Sequence, residues 1–202
     1  MDKQLTYFYD YNCPYCYISY VMIEKLSQEI AIDLQLVSWK MPENAVVDPK
    51  PPNYKQEGTK VATDLAQQLN VPIRFDSPVT GTRAAHEATK IAFVMGKGLE
   101  YGRKVFDSKW VEGKDISDRE FLIEIAGQLG LDTEEFRTAF LNRQGKKAVE
   151  DDFRRSFDQK IWTIPSYQAQ GREIQIHHFK DMPSIEELRN FILQGEFFLD
   201  EK

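Results

Sequence analysis

"YDYNCPYCYISY", residues 9–20, holds both cysteines of this 202-residue chain, three positions apart. Just before them runs "LTYFY" (5–9), a short β-rich apolar segment that ends at the turn-prone Asp10-Tyr11-Asn12. Beyond Pro14 the pattern changes. Ile18, Val21, Met22 and Leu26 recur at helical spacing on one face. Pro14 then falls in the first turn of the predicted helix, where a missing N–H costs nothing. Ile32, Leu34 and Leu36 alternate with Asp33 and Gln35, the pattern of a half-buried strand. The opening is therefore strand, helix, strand: a βαβ unit with a parallel pair and the cysteines where strand gives way to helix.

Outward from this unit, "MPENAVVDPKPPN" (41–53) is proline-rich and irregular. From there to about Phe157 the signals are mostly helical. Ser117 with Glu120 reads as a capping box before "FLIEIAGQLG". Gly130 and Asp132 break the chain before "TEEFRTAFL", and Gly96, Gly98 and Gly102 weaken the helical pattern earlier in the block. The β signal returns in "TIPSYQAQ" (163–170) and "EIQIHHF" (173–179), with Gly171 and Arg172 suited to a hairpin turn. "PSIEELRNFILQ" (183–194) starts with a Ser184–Glu187 capping box and buries Ile185, Leu188, Phe191 and Ile192. The order predicts an α/β fold of βαβ…ββα type. It is built from residues 1–50 and 158–202 and interrupted by an all-helical insertion over 51–157.

Composition narrows the function. A net charge of −6 argues against a general nucleic-acid or anionic-membrane binder. No apolar run is long enough for a transmembrane helix. "MDKQLTYFYD" lacks the basic region, apolar core and cleavage site of a signal peptide, so a cytoplasmic location is expected. In a reducing cytosol a structural disulfide is disfavoured, and two close cysteines point to redox chemistry or metal binding. A tetrahedral zinc site takes four ligands. With no second cysteine pair, and only His177-His178 to add, no metal site is expected.

A dithiol that cycles needs one exposed thiolate and a second thiol within reach. Cys13 falls at the predicted helix start, where unpaired backbone N–H groups and the helix dipole favour an anion. Cys16 lies one turn on, on the same side and more shielded. Cys13 is thus the candidate nucleophile and Cys16 the resolving thiol. Between them, Pro14 stiffens the turn. Tyr15 adds no group that ionises near neutral pH, which predicts a moderate oxidant. Asp10 is a candidate helix cap or proton relay for Cys16.

At this point the residues resemble a known family. "YDYNCPYCYIS" resembles the active-site opening of DsbA-like thioredoxin-fold proteins, and within them the FrnE-type oxidoreductases with their C-P-W-C-Y motif. "TRAAHEATKIA" and "FDSKWVEGKDISDREFLIEIAGQLGLD" resemble helices of that family's inserted domain, and "KIWTIPSY" the segment carrying its cis-proline. The resemblance implies a thioredoxin fold with an inserted all-helical domain and a thiol–disulfide oxidoreductase. Its substrates would be proteins carrying thiols or disulfides, without nucleic acid or membrane and without a bound cofactor. It implies that Pro165 is a cis-proline facing the cysteines, and that the Ile164 backbone, with Pro14 and Tyr15, contacts substrate. Tyr15 stands where the branch often has tryptophan. The resulting C-P-Y-C is similar to that of glutaredoxins, which makes glutathione a candidate co-substrate. The extra C-terminal cysteine pair of some relatives is missing.

Other residues have plainer readings. His86 is a structural histidine by default, and Trp110 and Trp162 read as packing residues, Trp162 near enough to Pro165 to border the site. Trp39 and Met41-Pro42 either pack or line a groove. Two rival functions remain. One is a glutathione-dependent isomerase or kappa-type glutathione transferase, which shares the architecture but usually has serine where Cys13 stands. The other is a non-redox binding module that uses the acidic helical block. Neither accounts for Cys16 as well.

Overall fold

A computed structural model describes residues 3–42, 45 and 49–194. The chain divides into two compact units: Met1–Val71 with Ser156–Lys202, and Pro72–Arg155. No helix among the described residues is long and apolar enough to cross a membrane.

The first unit is a four-stranded sheet with helices. The sheet runs in the order β2-β1-β3-β4. Strand β1 (Lys3–Tyr9) lies parallel to β2 (Ile32–Ser38), with Leu5 opposite Leu34 and Tyr7 opposite Leu36. Helix α1 (Pro14–Ser27) makes the crossover. On the other side β1 pairs antiparallel with β3 (Ser166–Ala169), which turns back into β4 (Arg172–Gln175). A central strand is covered on both faces, and Leu5 to Tyr9 are all buried. The βαβ and ββ pieces anticipated from the sequence are therefore present, assembled as the thioredoxin fold.

The structure corrects several local expectations. First, α2 (Tyr54–Gln68) belongs to the sheet unit, not to a helical block starting at 51. It packs against α1 and against the 3₁₀ turn Phe179–Asp181. Second, α1 is buried over the whole run Cys16–Ile23, not along one stripe, because α2 and α8 (Ile185–Gln194) both pack on it. Third, the hairpin turn is Gln170-Gly171, both at positive φ (51° and 72°), and Arg172 already starts β4. Fourth, β4 stops at Gln175 rather than running to Phe179, since His178 leaves the ladder and caps the 3₁₀ turn through Nδ1. The Ser184–Glu187 capping box before α8 forms as read, with each residue's backbone N–H donating to the other's side chain.

The second unit contains α3 (Arg83–Val94), α4 (Gly98–Trp110), α5 (Arg119–Gln128), α6 (Thr133–Leu141) and the first part of α7 (Lys146–Asp158). Its core holds Tyr101, Val105, Phe106, Leu122, Ile123, Phe136 and Phe140. The Tyr101 ring stacks on Phe136, and its hydroxyl donates to Leu122 O at 2.6 Å. The N-cap of α5 is Asp118, whose carboxylate accepts from Glu120 and Phe121 N–H at 2.9 and 3.3 Å. Ser117, the expected cap, instead bonds Asp115. Aspartate at this position suits the helix dipole as well as the free N–H groups.

Candidate active site

Strand β1 delivers the chain to the turn at Asp10, and α1 begins three residues later. The Asp10 carboxylate accepts the Asn12 N–H at 2.8 Å, and its carbonyl accepts that of Cys13 at 3.2 Å. Asp10 thus shapes the turn. The N-cap of α1 is Cys13 itself, with extended backbone (φ −92°, ψ 115°), so the helix-cap reading of Asp10 is replaced. The Cys13 sulfur accepts the Cys16 N–H at 3.4 Å, one of the donors that a helix start leaves unpaired. A thiolate at this position receives that donor and the positive end of the helix dipole. Pro14 occupies the first helical position, as its ring favours.

Cys13 is partly exposed and Cys16 fully buried, and both thiols are free. Burial pushes the Cys16 thiol well above its ordinary pKa. Cys13 adds to the rise, and the Asp10 backbone and the Tyr7 hydroxyl oppose it through hydrogen bonds. The two thiols are thus differentiated as the sequence suggests: one accessible at a helix cap, one neutral and shielded.

The Ile164–Pro165 peptide bond is cis. The Ile164 carbonyl oxygen lies 4.0 Å from Cys13 Sγ. Residues 151 positions apart are thereby brought together on the sheet unit. Pro165 is buried and Ile164 half-buried against a cluster of Phe8, Val37, Trp39 and Ile161. Trp39 belongs to that core, with its indole N–H donating to Ile161 O at 2.8 Å. Trp162 is 46% exposed and meets the 59% exposed Phe157 edge-on, leaving an aromatic pair beside Ile164 in sequence. Met41 is exposed, while parts of the loop after it (43–44 and 46–48) lie outside the described residues. Trp110 and His86 both pack inside the helical unit.

Tyr15 is tied down. Its hydroxyl donates to Gly58 O at 2.6 Å, and its ring stacks on Phe179, which in turn meets Tyr54. The dipeptide between the cysteines is therefore anchored to α2 and to the 3₁₀ turn, a contact between distant segments that no local pattern announces. Beneath Cys16 lies a ladder of buried tyrosines. The rings of Tyr9, Tyr7 and Tyr167 stack at 5.7 and 5.5 Å, and Tyr7 donates to the Cys16 carbonyl at 2.7 Å. The two-residue spacing of Tyr7, Tyr9 and Tyr11 before the cysteines was the available signal for this ladder. Among the described residues, no three His, Cys, Asp or Glu gather as a metal site would require.

Reduced protein should lose stability in alkali. Buried Cys16, Tyr7 and Tyr167 all have folded pKa values raised by desolvation. Above the ordinary thiol range the unfolded chain releases protons that the fold retains. Stability is thus full below that range and falls by about 1.4 kcal/mol per pH unit through Cys16 as pH rises above it, with Tyr7 and Tyr167 each adding the same slope once pH passes the ordinary phenol range. Thermal melts in reductant from neutral pH upward should show the decline, and Cys16→Ala should make it shallower. An unchanged melting temperature throughout would contradict the burial.

Comparison with known proteins agrees with this geometry. The chain is 24% identical over 173 residues to the uncharacterized protein YwbO of Bacillus subtilis (strain 168), covering 83% of this chain and 86% of that one. Its fold is shared with 2-hydroxychromene-2-carboxylate isomerase (TM-score 0.75, 15% identity, 85% and 88% covered). It is shared too with the cytosolic disulfide reductase DsbM of Pseudomonas aeruginosa (TM-score 0.68, 20% identity, 94% and 96% covered), also solved with GSH. A family model described as a DSBA-like thioredoxin domain matches residues 4–192, nearly the whole chain. A thioredoxin-fold sheet, a two-cysteine helix start and that match together mean that the chain belongs to the family of DSBA-like thioredoxin domains.

Proposed function

We propose that the protein is a thiol–disulfide oxidoreductase whose working groups are Cys13 and Cys16. The observation that carries this reading is the unequal setting of the two thiols: Cys13 caps α1 within reach of solvent, and Cys16 is sealed one turn behind it. The Cys13 thiolate attacks a substrate disulfide and forms a mixed disulfide; Cys16 then attacks the Cys13 sulfur and expels the substrate as a thiolate. In the reverse direction a substrate thiolate opens the Cys13–Cys16 disulfide. The Ile164 carbonyl, 4.0 Å from Cys13, is an acceptor for the backbone N–H of an extended substrate beside that sulfur. Pro14 and Tyr15 form the near wall, and no bound cofactor is required.

Substrates in this reading are proteins carrying thiols or disulfides, with glutathione as co-substrate, in the cytoplasm. The GSH present in a DsbM structure supports the glutathione part, and the cytosolic label of DsbM the location. The likeness to 2-hydroxychromene-2-carboxylate isomerase favours one alternative, a glutathione-dependent isomerase acting on a small electrophile. That reaction would need one activated sulfur, not two.

Equilibration in glutathione buffers tests the reading. An intramolecular Cys13–Cys16 disulfide should form at a definable potential. A value near thioredoxin's, about −270 mV, would make the protein a reductant, and one between about −180 and −120 mV an oxidase or isomerase of disulfides. If no such disulfide forms at any poise, and Cys16→Ser retains full activity on a small electrophile, the isomerase reading takes its place.

A further inference from the structure

Expelling Cys16 as a thiolate places a negative charge in a fully buried site. The groups acting on Cys16 are Cys13, the Asp10 backbone and the Tyr7 side chain. Tyr7 comes from the centre of β1, is 0% exposed and directs its hydroxyl at Cys16, whose carbonyl it reaches at 2.7 Å. Its other neighbours are Tyr9 and Tyr167 stacked on its faces, Tyr20 at its edge, and Cys13. Tyr9 and Tyr167 spend their own hydroxyls elsewhere, on Tyr11 and Ser19.

Resting on the oxidoreductase reading, we propose that Tyr7 is a further catalytic residue, the side-chain hydrogen-bond donor that holds the Cys16 sulfur while it is anionic. A substrate thiolate attacks Cys13 Sγ; the bond between the two cysteine sulfurs breaks, the substrate–Cys13 disulfide forms, and the electron pair stays on Cys16. Tyr7 keeps its proton and turns its O–H from the Cys16 carbonyl to the sulfur. In the other direction the Cys16 proton goes to solvent base, the thiolate accepts the same O–H, and attack on Cys13 releases the substrate thiolate. A neutral donor suits this place. It stabilises the anion in a medium of low dielectric, where a hydrogen bond to a charge is strong. It does not itself introduce a buried charge when the thiol is neutral. Burial keeps the Tyr7 phenol protonated far beyond neutral pH, so it acts as donor only.

Tyr7→Phe removes the donor and keeps the stacked ring, and Tyr9→Phe removes a hydroxyl from the same ladder that is paired with Tyr11. Opening of the Cys13–Cys16 disulfide by glutathione, followed by acid quench and mass, should be about 10- to 100-fold slower in Tyr7→Phe, the scale of a hydrogen bond to a charged group. Tyr9→Phe should match the wild type. In a Cys13→Ser background the ultraviolet titration of the Cys16 thiolate should shift up by about one to two units on adding Tyr7→Phe, the same factor read at equilibrium. A folded Tyr7→Phe protein with wild-type rate and titration overturns the proposal, as does an equal loss in Tyr9→Phe. If the wild type exchanges no disulfides, the oxidoreductase reading fails, and the titration still decides whether Tyr7 supports the Cys16 anion.

Discussion

In the proposed reaction Cys13→Ser should abolish disulfide exchange, with a loss on the order of a thousandfold or more, while Cys16→Ser should leave a protein that still attacks disulfides and then stops. The asymmetry follows from exposure. Cys13 is the accessible sulfur, and it caps α1 and accepts the Cys16 N–H. A serine hydroxyl there does not ionise enough at neutral pH to replace it. Cys16 is fully buried, so in the proposed reaction it meets no substrate directly and serves only to attack Cys13 from within. Its loss therefore removes resolution and leaves capture. Incubation with glutathione disulfide or a model peptide disulfide, followed by intact mass, separates the cases. Wild type should end as the intramolecular disulfide and Cys16→Ser as a mixed disulfide on Cys13. Cys13→Ser should remain unmodified. Ready modification of Cys16 in the Cys13→Ser protein would show that the burial order is wrong and would reverse the roles.

Which parts of this arrangement could be read from the chain follows from the range of the interactions. The strand, turn and helix around residues 9–20 rest on local rules: a β-rich apolar run, a turn tripeptide, a proline in the first helical turn. The site's two sulfurs were legible for the same reason. Ile164 needed more, since its approach to Cys13 spans 151 positions, and only the resemblance of "KIWTIPSY" pointed to it. Nothing in the sequence singled out Tyr7, because alternating aromatic residues in a buried strand look like core, which Tyr7 also is. The boundary of the helical block was misplaced by one helix because α2 has the composition of a solvated helix. Only its contacts with α1, Tyr15 and Phe179 assign it to the sheet unit. Asp118 displaced Ser117 as a cap by one residue, a margin within which side-chain preferences alone do not choose.

Gly145→Ala should damage the helical unit, lowering stability by about 2–4 kcal/mol and the melting temperature by about 5–15 °C. A Cβ built at Gly145 would fall on the carbonyl oxygen of Glu87 and lie 2.9 Å from its carbonyl carbon. These are backbone atoms inside α3, and they have no rotamer through which to move away. The close approach also sets an ion-pair cluster. Glu87, with 2% of its side chain exposed, receives Arg143 at 2.7 Å and Arg83 at 2.9 Å. Burial alone would raise the Glu87 pKa, but the two guanidinium groups outweigh it and hold the carboxyl below its usual range. The folded value being depressed, this contribution is present above the ordinary glutamate range and is lost as pH falls through the folded value. Pushing Gly145 away from α3 carries neighbouring Arg143 with it and leaves a buried carboxylate short of a partner, a costlier state than an intact pair. The acid limb of the stability profile should therefore be shallower in Gly145→Ala, because less of the Glu87 contribution is left to lose. Gly81 supplies the control, since nothing lies within 4 Å of a Cβ added there. Gly81→Ala should melt at or slightly above the wild type, as removal of glycine freedom from the unfolded chain stabilises by up to about 1 kcal/mol. Equal melting temperatures for the two variants would mean that the Gly145 contact is not as close as the structure has it, and that the Glu87 cluster does not depend on it.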